Sequence, residues 1–190
     1  MARPRQISDE QILSATRERV LAQGPNVSLE VVAEDLGVTV PAILKRFGSR
    51  RALMLAALTP PEPEWIAFLN QGPRQAPLEE LLQEMFLKIL AFNTDAIPCV
   101  IALRESGIAT KEFLGRDPTR GHRALVGWLK RASALRLITA TELEGIAFAI
   151  FGALMGRAFT AHLVNAPLSE RDRQSYAQDL SRVFTRALTP

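Results

Sequence analysis

Between Ser28 and Phe47 the chain carries two apolar stripes, each with the spacing of one helix face, on either side of a glycine. Leu29, Val32, Ala33 and Leu36 fall at i, i+3, i+4 and i+7, and Val40, Ile43, Leu44 and Phe47 repeat the pattern. Gly37 suits the left-handed conformation that ends a helix, and Thr39 can accept from the free N–H groups that begin the next. Two helices this short cannot close a core alone. They must share one around a tight turn, which predicts a helix-turn-helix.

Charge then constrains what such a unit touches. The formal net charge is only +3, but Lys45, Arg46, Arg50 and Arg51 lie between Leu36 and Arg51 with no acid among them. The positive field is local. Arg50 and Arg51 also open a helix expected from Ser49 to about Leu58, where the backbone dipole disfavours cations. A polyanion alongside would reverse that penalty, making these side chains phosphate ligands.

Ser8-Asp9-Glu10-Gln11 is a capping box that starts a first helix, ended by Gly24-Pro25-Asn26. Ser28, Thr39 and Ser49 are the expected N-caps of three short helices, with Pro41 tolerated in a first turn. Thr59-Pro60-Pro61-Glu62-Pro63 cannot continue a helix, so residues 1–58 are expected as one domain and 59–190 as a second. In the second, a short helix through Trp65 and Leu69 precedes one from Leu78 to about Phe92. Another, capped by Asp95, is expected over Ala96–Ser106, and a further one from about Thr119 to Leu135. No strand pattern or repeat appears, so the fold class is all-α.

The last two helices are the most informative of the second domain. Thr139-Ala140-Thr141-Glu142 reads as a capping box for a helix reaching about Leu163, apolar nearly all round and bearing Gly145, Gly152 and Gly156. Ser169-Glu170-Arg171-Asp172 caps the last, whose stripe includes Tyr176, Leu180, Val183 and Phe184. One chain offers few helices to cover them. A homodimer with a four-helix interface over these residues is the expected solution. The interior of the same domain, with Met85, Phe86, Ile89, Leu103, Trp128, Phe148, Phe151 and Met155, suits a small, largely apolar molecule as well as it suits a plain core. Arg104, Glu105 and His122 are candidate polar contacts.

Other chemistry finds little support. Cys99, the single cysteine, excludes an intrachain disulfide or cysteine-pair zinc site and fits a reducing cytoplasm; Ile97, Val100 and Ile101 around it predict a buried thiol. His122 and His162 lack ligand spacing, and no nucleophile elbow or phosphate-cradling loop is present, so neither enzyme activity nor a metal or cofactor is expected. The N-terminus has no signal-peptide pattern. The apolar run Gly145–Gly156 stops at Arg157 and reads as too short for a bilayer, so a soluble cytoplasmic protein without a membrane partner is expected.

The stretch Gly37-Val38-Thr39-Val40-Pro41-Ala42-Ile43-Leu44-Lys45-Arg46-Phe47-Gly48-Ser49-Arg50-Arg51-Ala52-Leu53, with Ile12-Leu13 and Gly24 before it, resembles the DNA-binding domain of TetR-family regulators. Gly37, Val38, Thr39, Ile43, Phe47, Ser49 and Leu53 fit the family pattern. Leu44 stands where a phosphate-touching tyrosine is usual, Pro41 replaces a small residue, Ala42 a threonine, Arg46 a histidine and Arg51 a glutamate. The resemblance implies a homodimeric repressor, released by a small molecule, on a palindromic double-stranded DNA operator. Thr39, Val40, Pro41, Ala42 and Lys45 would then face the major groove. Ser28, Arg46, Ser49, Arg50 and Arg51 would hold phosphates. Arg3 and Arg5 either reach a minor groove or belong to a frayed tail, the reading favoured for a chain terminus. Leu44 and Pro41 keep an alternative open: a helical ligand-binding or interaction protein that has lost specific DNA binding. An all-helical enzyme ranks last.

Overall fold

A computed structural model describes residues 7–115, 117 and 119–189. Among them are ten helices and no strand, the all-α fold that the periodicity predicts. They are α1 (Asp9–Gln23), α2 (Leu29–Leu36), α3 (Val40–Phe47), α4 (Arg50–Leu58), α5 (Glu64–Gln71), α6 (Leu78–Glu105), α7 (Thr110–Phe113), α8 (Arg120–Ala134), α9 (Leu143–Leu163) and α10 (Glu170–Leu188).

The first four begin where local chemistry places them. Ser8 Oγ accepts from the Gln11 N–H at 3.1 Å while Gln11 Oε1 accepts from the Ser8 N–H at 2.9 Å, completing the capping box of α1. Gly37 adopts φ 64° and ψ 33°, and its N–H donates to the carbonyls of Ala33 and Glu34 at the end of α2. Thr39 and Ser49 accept from the N–H groups of Ala42 and Ala52, capping α3 and α4. Ser28 occupies the cap position of α2 but makes no side-chain cap bond. Both stripes of the opening motif close on one cluster, where Ile12, Leu29, Val32, Ala33, Ile43 and Leu53 are buried and Leu36, Leu44 and Phe47 pack at the edge.

The chain forms two compact units, and they are not two consecutive stretches. One holds the chain up to Pro61 and again from Pro98 to just past α7; the other holds Glu62–Ile97 and the chain from Asp117 onward. The division expected between residues 58 and 59 cuts the chain once, whereas these units are grouped by contact. Cys99, Ala102, Leu103, Ile108 and Phe113 are buried in one cluster with Val20, Met54, Ala57 and Leu58, which ties the later segment to the first unit. The break expected between Phe92 and Ala96 is absent too. The helix α6 runs unbroken for 28 residues with Pro98 inside it, so Asp95 lies within a helix instead of capping a new one, and the neighbouring Thr94 Oγ1 donates to the Leu90 carbonyl at 2.8 Å. Its two parts belong to different units, changing over at Pro98.

In the second unit, α8 packs on α5 and α9. Trp65 lies so close to α8 that a Cβ added to Gly121 would meet its ring at 2.5 Å. Only glycine fits there. The indole is further boxed by Phe92 and Phe151, with ring centroids 6.4 and 6.1 Å away. At the other end, Phe184 of α10 meets Phe86 of α6 edge-on at 6.0 Å. The cap of α10 forms as predicted, with Ser169 Oγ accepting from the Asp172 N–H at 3.1 Å. That of α9 does not: α9 starts at Leu143, and the N–H groups of Thr139 and Ala140 donate to the Leu188 carbonyl.

Two helices, α6 and α9, are long and apolar enough to cross a membrane by length and composition, a test that core helices of soluble proteins pass as well, and they do not mark a membrane protein. In α9 only 28% of the most apolar window is buried inside the chain.

Candidate nucleic-acid interface and second-unit site

The solvent face of α3 follows directly from its buried one. Ile43 is fully buried, and Val40, Leu44 and Phe47 lean on the same cluster, which turns Thr39, Pro41, Ala42 and Lys45 outward. These are small or polar side chains around one cation, and Lys45 has no hydrogen-bond or ion-pair partner among the described residues. Such a helix, short-chained and capped at its N-terminus, can enter a groove without steric obstruction. Leu44 is half-buried, so its side chain completes the core where a tyrosine hydroxyl would reach outward. Ser28 and Ser49 flank this helix in sequence, Ser49 exposed and Ser28 at the head of α2. Arg3 and Arg5 lie outside the described residues.

The arginines divide into different roles. Arg50, placed by the sequence among the phosphate ligands, is half-buried, and its Nη2 donates to the carbonyls of Pro25 and Val27 at 2.9 and 2.6 Å. It clamps the α1–α2 connection onto α4. In this arrangement its guanidinium is bonded within the fold rather than free. Arg46 donates to the Ile7 carbonyl at 2.6 Å and to Asp9 Oδ1 at 3.1 Å, but remains exposed. Arg51 is exposed as well, with Nη2 2.7 Å from both carboxylate oxygens of Glu112.

Glu112 is not legible as a site residue along the chain. It lies on α7, 61 residues from its partner, and a short helix carries no periodicity to flag it. Its Oε1 also accepts from the Ala109 N–H at 2.9 Å. Arg51 first, and then the Ala109 amide, hold the carboxyl below its ordinary range, so it is ionised at neutral pH. Elsewhere in the unit, Arg19 pairs with Asp35 and lowers its carboxyl in the same way.

The second-unit candidates separate into three groups. Met85, Phe86, Ile89 and Trp128 are fully buried, and Phe151 and Met155 partly so. Phe148 is 74% exposed, with its ring 6.3 Å from that of His122, so it is not part of a closed interior. Leu103 and Glu105 belong to the first unit, Leu103 buried beside Met54 and Leu58 and Glu105 exposed. Among the described residues of this unit, the buried nitrogens Trp65 Nε1, Asn93 Nδ2, His122 Nε2 and Trp128 Nε1 have no hydrogen-bond partner. The two indole nitrogens and Asn93 carry no signal as polar contacts along the chain, because each sits in apolar or helical sequence surroundings.

Of the interface candidates, Gly145, Gly152 and Gly156 are exposed, and a Cβ on any of them would meet open space. The close backbone approach expected to compensate these glycines is absent among the described residues. Phe148, Phe159 and Leu163 are exposed along the same helix and Val183 on α10. Tyr176 and Phe184 instead turn partly inward: Tyr176 donates to the Ala153 carbonyl at 3.1 Å, and burial raises its phenol above the usual range. Leu180 is half-buried.

Comparison with known proteins fits this geometry. Residues 12–57 match the family described as bacterial regulatory proteins, tetR family, which spans the buried cluster from Ile12 through α4. No curated protein matches the chain. Solved structures similar along the whole length include a tetR-family regulatory protein from Rhodococcus RHA1 (12% identity, 97% of this chain and 98% of that one, TM-score 0.69). PfmR, a TetR-family regulator from Thermus thermophilus, shares 14% identity over 94% and 99% of the two chains, TM-score 0.65. The regulator FadR from Bacillus subtilis, solved with stearoyl-CoA, shares 15% over 94% and 98%, TM-score 0.67. At such identities the likeness is one of fold. Residues 12–57 thus match the tetR family of bacterial regulatory proteins, and the chain along its whole length shares the fold of TetR-family regulators.

Proposed function

We propose that the protein is a homodimeric repressor that binds a palindromic DNA operator and is released by a small, largely apolar molecule. The observation that carries the reading is the solvent face of α3, where Thr39, Pro41, Ala42 and Lys45 stand clear of a closed core. Lys45 is the candidate donor to a guanine edge, and Thr39 or Ala42 would meet a thymine methyl, with Val40 at the margin. Ser28, Ser49, Arg46 and Arg51 are the candidate phosphate contacts; Arg50 supports them from behind. Dimerisation is supported by the uncovered apolar side of α9, with Phe148, Phe159 and Leu163 around three open glycines.

The effector reading rests on the second unit. Unpartnered buried polar nitrogens are unfavourable, and an indole N–H or amide N–H among them would be satisfied by an acceptor on a bound molecule. A carbonyl or carboxylate on a hydrocarbon body fits that description, and the fold shared with a regulator solved with stearoyl-CoA supports the same class.

Titration of DNA from around the protein's own gene, at increasing salt, tests the reading. Sequence-selective binding that weakens steeply with salt is expected, and Lys45→Ala should relax the preference at one base pair of each half-site. Flat, non-selective binding would instead establish the alternative, an interaction protein without specific DNA binding, which the engagement of Arg46, Arg50 and Arg51 within the fold favours. Sedimentation without detergent separates a dimer from a membrane-bound chain.

A further inference from the structure

We propose that Glu112 competes with DNA backbone phosphate for Arg51, so that binding to DNA exchanges a carboxylate for a phosphate on the same guanidinium. The inference rests on the DNA-binding reading and adds to it a residue that sets affinity from outside the helix-turn-helix.

Three observations carry it. First, Arg51 is at the start of α4, just after the Ser49 cap, and its side chain is 51% exposed, so it is held but not enclosed. Second, its Nη2 is equidistant, at 2.7 Å, from both oxygens of Glu112, so the group already engages a two-oxygen anion of the kind a phosphate also presents. A carboxylate in that position is a stand-in for the anion. Third, Glu112 has a separate structural bond, from the Ala109 N–H, so losing Arg51 leaves α7 with its own closure. The exchange therefore breaks one surface ion pair and no core contact. Exposed pairs of this kind contribute little net stability, whereas a phosphate contact on duplex DNA also releases condensed counterions. Phosphate should win on DNA, and Glu112 should win in its absence.

Arg51 also opposes the dipole of α4, and Glu112 relieves that opposition. By linkage, any condition that tightens the Arg51–Glu112 pair weakens DNA binding by the same factor.

Glu112→Gln tests the exchange, because the amide oxygen can still accept from Ala109 while the charge is gone. Fluorescence anisotropy is measured on a short duplex of arbitrary sequence and on one from around the protein's own gene, over a range of salt. The variant is expected to bind both about two- to fivefold more tightly at low salt, with a salt slope steeper by no more than the roughly 0.9 that one phosphate contact contributes. In an Arg51→Met background, Glu112→Gln should change neither affinity nor slope. Unchanged affinity and slope in the single variant overturn the proposal, as does an equal gain in the Arg51→Met background, which would mark a general charge effect. If the unaltered protein binds neither duplex, the DNA-binding reading itself falls and the exchange with it. Circular dichroism of each variant confirms that the helices are retained.

Discussion

Helices α3 and α9 each have one buried and one open face, yet the two open faces differ in kind. That of α3 presents Thr39, Pro41, Ala42 and Lys45, short or charged groups that water solvates without penalty. That of α9 presents Phe148, Phe159 and Leu163 beside three glycines, a surface that water does not favour. The first is ready for a hydrated, charged partner and stable without one. The second leaves apolar side chains in water that an apolar partner would cover.

The comparison breaks first at the buried faces. Ile43→Ala removes a fully buried side chain from the small cluster under α3 and should destabilise the protein by about 2–5 kcal/mol, read from chemical denaturation. Phe148→Ala should leave the folding of a single chain nearly unchanged, since the ring is mostly in solvent, while shifting sedimentation toward the monomer. A large loss of folding stability at both positions, with no change in association, would show that α9 is covered within its own chain.

A smaller effect is expected at Gly121, where the neighbour is Trp65 rather than open space. Gly121→Ala should cost about 1–3 kcal/mol in thermal or chemical denaturation, because the indole is boxed by Phe92 and Phe151 and has little room to retreat. The smallest effect is diagnostic by its sign. Gly152→Ala meets nothing within 4 Å in the isolated chain, so it should stabilise a monomer by about 0.5–1 kcal/mol through helix propensity. If two copies pack backbone to backbone there, the same change weakens association instead. Thermal denaturation at low and high protein concentration reads both outcomes.

The acidic limb of stability should sharpen the contrast between partners that are charged and those that are not. Glu112 and Asp35 both have carboxyls held below their ordinary range by arginines. Their contribution is fully present above the unfolded value and is lost as pH falls through the depressed folded one. Neutralising Glu112 should flatten the pH dependence of unfolding in that acidic window, and leave the behaviour near neutrality unchanged.

Much of the fold could be read along the chain because its signals are local. A helix face recurs every three or four residues, a cap spans three, and Gly37 and Thr39 announce their turn without help from distant residues. The identity of the buried cluster under α3 follows from that periodicity alone. The tertiary structure decided what depends on residues far apart. Arg50 and Arg51 are adjacent and chemically alike, yet one is tied to the carbonyls of Pro25 and Val27 and the other to Glu112. Likewise α6 crosses Asn93-Thr94-Asp95 and Pro98 unbroken, because packing in both compact units outweighs weak local propensity. Local propensity therefore set where the helices start and which faces they bury, while the fate of each charge and each open face depended on which distant group the folded chain brought within hydrogen-bonding reach.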